Sequence, residues 1–160
     1  MSDVRAAVSL DAETLLSGFG KYIGLSGLTF GEQGFVGLMF DDHALNILYD
    51  GSRDAFVIYG PLGSIPTNDD GFFRRLSAEC HYSVFNGEGA LTVDEQHGQI
   101  VWSDIVPLSD LTQERFQEKL RAAVDQIEFL KGSLFEALSR GDHDRVVISN
   151  VTGEEAFVRI

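Results

Sequence analysis

The chain has a single cysteine, Cys80, and so no means of closing a disulfide within itself. Residues 1–10 lack the basic start and the apolar run of about 7–15 residues that mark a secretory leader. These two absences point to a reducing cytoplasm. Long apolar runs are missing too: Gly and Asp interrupt each one well short of the roughly 18 residues a membrane-spanning helix needs, which argues against membrane insertion. Basic residues are few, 12 Lys and Arg against 25 Asp and Glu, for a formal charge of -13 and a pI near 4.5. That charge repels a phosphate backbone, so nucleic acid and anionic membrane are poor partners.

What the chain does have is apolar content, 44% with 12 Phe, which argues against disorder despite the charge. Its 160 residues suffice for one domain that buries about two thirds of its unfolded surface. Leu15, Leu16, Phe19, Tyr22 and Ile23 recur at spacings of three and four behind Asp11, a candidate N-cap, and predict a first helix over 12–25. Val36 to Phe40, Leu45 to Tyr49 and Ala55 to Tyr59 read as an antiparallel meander joined by Asp- and Gly-rich turns. Pro61 to Asn68 reads as a loop leading to a second helix over about 70–82. On that helix Phe72, Phe73, Leu76 and Cys80 share one face, with Arg74, Arg75 and Glu79 largely on the other.

Ala90 to Asp94 and Ile100 to Val106 predict a hairpin. Thr112 is the candidate N-cap of a third helix carrying Phe116, Leu120, Val124, Ile127 and Leu130, which Leu134 to Leu138 extend past Gly132. Arg140-Gly141-Asp142 then punctuates the chain, dividing a domain over 1–140 from an extension over 141–160. Two β-like pieces in that extension, Val146 to Ser149 and Ala156 to Ile160, form either a hairpin or a loose tail. With no internal repeat, the order is α-β-β-β-α-β-β-α plus a tail, an α+β fold with an antiparallel sheet.

Catalytic and metal signatures are absent from this pattern. His43, His81, His97 and His143 fall in or beside turns and helix ends, none at the i, i+4 spacing of a helical metal pair. Cys80 and His81 are adjacent and diverge by about 100° on a helix, so they do not pair as thiol and base. Gly18-Phe19-Gly20-Lys21-Tyr22-Ile23-Gly24 is only superficially a dinucleotide fingerprint, since its third glycine is misplaced and no strand precedes it. Small residues that let helices approach explain it better. Paired acids such as Asp41-Asp42 and Asp94-Glu95 do not follow a calcium loop. No catalytic residue, metal site or cofactor is expected. What remains is an apolar surplus that a dimer seam and a ligand groove would cover.

From Leu15 to about Leu130 the chain resembles the CesT-type class I chaperones of type III secretion. The resemblance is carried by Leu15, Leu16 and Phe19; by Leu38-Met39-Phe40-Asp41, Leu45-Asn46-Ile47 and Phe56-Val57-Ile58-Tyr59; and by Phe72-Phe73-Arg74-Arg75-Leu76. Asn86-Gly87-Glu88-Gly89-Ala90-Leu91-Thr92-Val93-Asp94, Gly98-Gln99-Ile100-Val101-Trp102, Pro107-Leu108 and the helix bearing Phe116, Leu120, Val124 and Phe129 continue it. Residues 141–160 run past the usual family ending, and His81-Tyr82 stand where an aliphatic helix end is usual.

The resemblance implies a homodimer with Phe72, Phe73, Leu76 and Trp102 at its seam. It also implies that the N-terminal segment of a secreted effector, in virulence or symbiosis, wraps the dimer in extended form. Leu16, Phe19, Ile23, Leu38, Phe40 and Ile47 are the candidate groove residues, although strand alternation assigns some of them to the core. Strand addition at a sheet edge would supply main-chain hydrogen bonds, and the secretion-system ATPase is a further implied partner. Two alternatives stand beside this reading. One is a YbjN-like α+β binding or regulatory module without a secretion partner. The other is a small enzyme that pairs Asp41 or Asp94 with a histidine in one pocket.

Overall fold

The computed structural model describes residues 8–66, 70–139 and 158–159. Helix α1 spans Leu10–Tyr22 and begins at Ser9, whose hydroxyl accepts from the Ala12 amide at 3.2 Å. The cap is thus Ser9, not Asp11, which instead places its charge in the first turn where the helix dipole favours it. Strands β1 (Phe35–Phe40), β2 (His43–Asp50) and β3 (Ala55–Ser64) form the expected antiparallel meander. Helix α2 (Asp70–Asn86) is followed by β4 (Ala90–Asp94) and β5 (Gln99–Pro107). Helix α3 (Gln113–Ser139) starts at Thr112 as expected, with the Arg115 amide donating to its hydroxyl at 3.3 Å.

The strand order is β4-β5-β3-β2-β1-β6. The last strand, β6 (Val158–Arg159), lies parallel to β1 in a sheet whose other pairs are antiparallel. The α-β-β-β-α-β-β-α order therefore holds, with a short C-terminal strand added. The piece over 146–149 lies outside the described residues.

Two boundaries differ from the sequence expectation. Residues 61–64 continue β3 instead of opening a loop, and Pro61 is tolerated because β2 pairs with β3 only as far as Tyr59. Beyond that point β3 bonds β5 alone, through a register shift between Pro61 and Gly63, so one side of the strand needs no donor. Helix α2 runs about a turn further than expected, to Asn86.

One face of the sheet carries Val36, Leu38, Leu45, Ile47, Phe56, Ile58 and Val106, all buried. Phe116, Leu120, Ala123, Ile127, Leu130 and Leu134 of α3 cover it along one helical stripe, and Ala12, Leu15, Leu16 and Phe19 of α1 close one end. Phe56 is the hub: its ring lies 4.9 Å from Phe116 and 5.8 Å from Phe30. The Gln113 amide donates to the Leu15 carbonyl at 3.1 Å and so ties the start of α3 to α1. Gly18 and Gly20 serve close packing, a Cβ at Gly20 coming within 2.7 Å of the Leu25 carbonyl oxygen and Leu28 Cβ, whereas Gly24 meets nothing within 4 Å and instead supplies a φ of +81° after the helix.

Candidate protein-binding surfaces

Helix α2 is inside out. Its inward stripe, Phe72, Leu76, Glu79 and Ser83, repeats at helical spacing and is half polar. Glu79 accepts from the Ser133 hydroxyl of α3 at 2.7 Å, and the Ser83 hydroxyl is buried without a hydrogen-bond partner. Phe72 anchors this end, fully buried with its ring 5.4 Å from Phe135, with Leu76 partly buried against the core beside it. The outward side carries Phe73, Val84 and Phe85, which are 49%, 66% and 82% exposed, interspersed with the exposed polar residues Arg74, Ser77 and His81. The His81 ring stacks on Phe85 at 6.0 Å. Val93 on the neighbouring edge strand β4 is half-exposed as well.

The four residues expected at a seam are thus split. Phe73 is open and Leu76 half-buried, whereas Phe72 and Trp102 lie in the core of the single chain. The Trp102 ring N–H donates to the Glu88 carbonyl at 2.8 Å, locking the turn between α2 and β4. Gly89 in that turn has φ of +85°, and a Cβ there would meet the Ser103 oxygen at 2.6 Å and the Trp102 indole at 2.7 Å. Sequence reasoning missed Val84 and Phe85 because the predicted helix stopped at 82. The signal was present, since 73, 81, 84 and 85 share one helical face.

The expected groove residues divide in the same way. Leu16, Leu38 and Ile47 have no exposed surface and Phe19 almost none, so they are core residues of the single chain and can only underlie a binding surface, contrary to the expectation that they line it. Ile23 and Phe40 are half-buried above them, and Tyr22 stands exposed beside them with Arg121 donating to its hydroxyl at 3.1 Å. The rings of Tyr22 and Phe40 lie 6.5 and 6.4 Å from that of Phe19. The accessible rim at this end is therefore Tyr22, Ile23 and Phe40.

A second open apolar row crosses the sheet's outer face. Phe35, Leu48, Val57 and Ile105 are successive partners across β1, β2, β3 and β5. Ile105 is 49% exposed.

Among the described residues, three titratable sites stand out. Asp94 and His97 come together at 2.7 Å, but in the exposed β4–β5 turn, where the His97 amide also bonds Asp94. The His97 hydrogen bonds hold the Asp94 carboxyl below its usual range. Burial pushes the Cys80 thiol up, the reverse of activation. Burial pushes the Lys131 amine down, partly offset by Asp42, while its Nζ lies 3.2 Å from His43 Nδ1. Among the described residues no group of three or more His, Cys, Asp or Glu is placed to hold a metal ion, and no helix is long and apolar enough to cross a membrane.

A small sheet backed by α1 and α3, with an inside-out α2 at one end, is a protein-binding architecture. Residues 14–131 match the model of the Tir chaperone protein (CesT) family. The chain belongs to that family, the class I chaperones of type III secretion. It is 25% identical over 123 residues to the Tir chaperone of Escherichia coli O111:H-, covering 77% of this chain and 79% of that one. It is 27% identical over 139 residues to ExsC of Pseudomonas aeruginosa, a transcriptional anti-antiactivator, covering 86% of this chain and 91% of ExsC. The crystal structure of the ExsC–ExsE complex superimposes with a TM-score of 0.69 at 25% identity, over 79% of this chain and 97% of that one. The HopA1–SchA chaperone–effector complex gives 0.68 at 19% identity, over 78% and 98%, a likeness of fold.

Proposed function

We propose that the protein is a homodimeric cytoplasmic chaperone that holds the N-terminal segment of a secreted effector in extended form. The observation that carries this is the inverted α2: a helix that leaves Phe73, Val84 and Phe85 in water, in a chain of the Tir chaperone family, calls for a protein cover. The seam is formed by Phe73, Val84 and Phe85 with Val93 beside them, over the buried support of Phe72, Leu76 and Trp102. Covering about 800 Å² per partner is the usual scale for such a contact. The effector lays apolar side chains on the rim of Tyr22, Ile23 and Phe40, above the floor of Leu16, Phe19, Leu38 and Ile47, and an ATPase of the secretion machine takes the complex onward.

This role needs no cofactor and no catalysis. Apolar burial supplies affinity, offset by the cost of ordering an extended partner, while the charge of -13 keeps the chaperone soluble and favours basic segments. The enzymatic alternative loses its motive, because the Asp94–His97 pair lies in an open turn and the Cys80 thiol is raised.

The likeness to ExsC favours a second reading, in which the same surfaces also bind a regulator of transcription. It extends over 139 residues against 118 for the family model. Affinity capture of the tagged protein, partner identification by mass spectrometry and measurement of the complex mass test both readings. A chaperone dimer carrying one secreted protein through that protein's N-terminal segment is the expected result. Capture of a regulator alone supports the second reading, and a monomer with no protein partner overturns both.

A further inference from the structure

The edge of the sheet at β1 is already occupied. A free edge strand presents a row of unpaired amides and carbonyls, and any extended chain can add there. Here the occupant is the chain's own C-terminus, with Val158 paired to Leu38 and Arg159 to Met39. The pairing is parallel, the less stable arrangement per residue, and it covers two positions of a six-residue strand. Phe40 ends the same strand, two residues beyond Leu38, with its ring 6.4 Å from that of Phe19, so this edge adjoins the rim at Tyr22, Ile23 and Phe40. Positions 140–157 join β6 to α3, and at about 3.4 Å per residue they have a reach on the order of 60 Å, ample to return the terminus to this edge.

We propose that β6 is a built-in competitor for the β1 edge, a weak strand that an extended partner segment must displace before it can pair there. The identity of the displacing segment rests on the chaperone reading above, whereas occupancy and exchange of the edge do not. A tethered strand competes at an effective concentration on the order of mM, so even a two-residue pairing screens out weak segments while yielding to a segment that also fills the rim. Residues 156–160, Ala-Phe-Val-Arg-Ile, are rich in strand-forming types, consistent with a self-supplied strand.

The test compares the full chain with Val158→Pro, which removes one amide donor and disfavours pairing, and with a chain ending at Ser139. The β1 amides of Leu38, Met39 and Phe40 are followed by hydrogen exchange, with the β3 amides as internal control. The β1 amides that point toward β6, alternate ones along the strand, are expected to exchange at least tenfold faster in both variants, with those bonded to β2 and the β3 amides unchanged. A synthetic peptide of residues 154–160 then binds the shortened chain, restores protection at β1, and binds the full chain at least tenfold more weakly. Equal β1 exchange in all three proteins overturns the proposal, as does equal binding of the peptide to the full and shortened chains. These arms use no effector, so failure to find an effector is read separately from failure of the competitor.

Discussion

Helices α2 and α3 dispose of their large apolar residues in opposite ways. Helix α3 buries Phe116, Leu120, Ile127, Leu130 and Leu134 along one stripe against the sheet, with Phe129 its one large apolar residue left open among those described. Helix α2 buries Phe72, then turns Glu79 and Ser83 inward and leaves Phe73, Val84 and Phe85 in water. An apolar stripe that faces inward completes a fold, and one that faces outward awaits a partner. On the proposed reading, the sheet with α1 and α3 forms the core of one chain and the α2 end carries the seam between two copies.

Breaking the sealed region should cost most. Phe116→Ala removes a fully buried ring that packs on Phe56 and Phe19, and should lower stability by about 3–5 kcal/mol in denaturant unfolding. Phe85→Asp, on the open stripe, should leave near-UV circular dichroism unchanged and weaken dimerisation by about 100-fold, or ~2.7 kcal/mol. Equal loss of fold in both variants would erase the distinction between the two helices.

Smaller effects sharpen it at the joints. Gly89→Ala forces a Cβ against Ser103 and Trp102 at a positive φ and should cost about 1–3 kcal/mol, seen as a lower unfolding midpoint and altered Trp102 fluorescence. Gln113→Ala, which leaves the Leu15 carbonyl without this donor, should cost about 1 kcal/mol. The least is expected from Asp94→Asn. The folded carboxyl titrates below its usual range, so its contribution is present above about pH 4 and is lost as pH falls through the lowered folded value. Melting temperatures of wild type and Asp94→Asn should differ slightly at neutral pH and converge in acid.

Much of this architecture was legible in the sequence. The β-branched and aromatic run Phe56-Val57-Ile58-Tyr59 between turn-rich connections marked a strand, and the long stripe from Phe116 to Leu130 marked both a helix and its buried face. The Thr112 cap was readable because a side-chain acceptor immediately precedes that stripe. Pro61 misled because its effect depends on which neighbour needs its amide, and β2 ends before it. Core and groove could not be separated for Leu16, Leu38 and Ile47, since an apolar stripe looks the same whether covered by its own chain or by another. The inward turn of Glu79 was hidden for a tertiary reason: Ser133, its partner, is 54 positions away. The pairing of β6 with β1 likewise joins residues 120 positions apart, and no local periodicity specifies it.

The most direct test of the account is the mass of the purified protein in solution, by light scattering, for wild type and Phe85→Asp at tens of micromolar. Wild type at twice the chain's 17.6 kDa and Phe85→Asp at 17.6 kDa, both folded, is the result the account predicts. A monomeric wild type, or a dimer indifferent to Phe85→Asp, would contradict the claim that the open stripe of α2 is a seam.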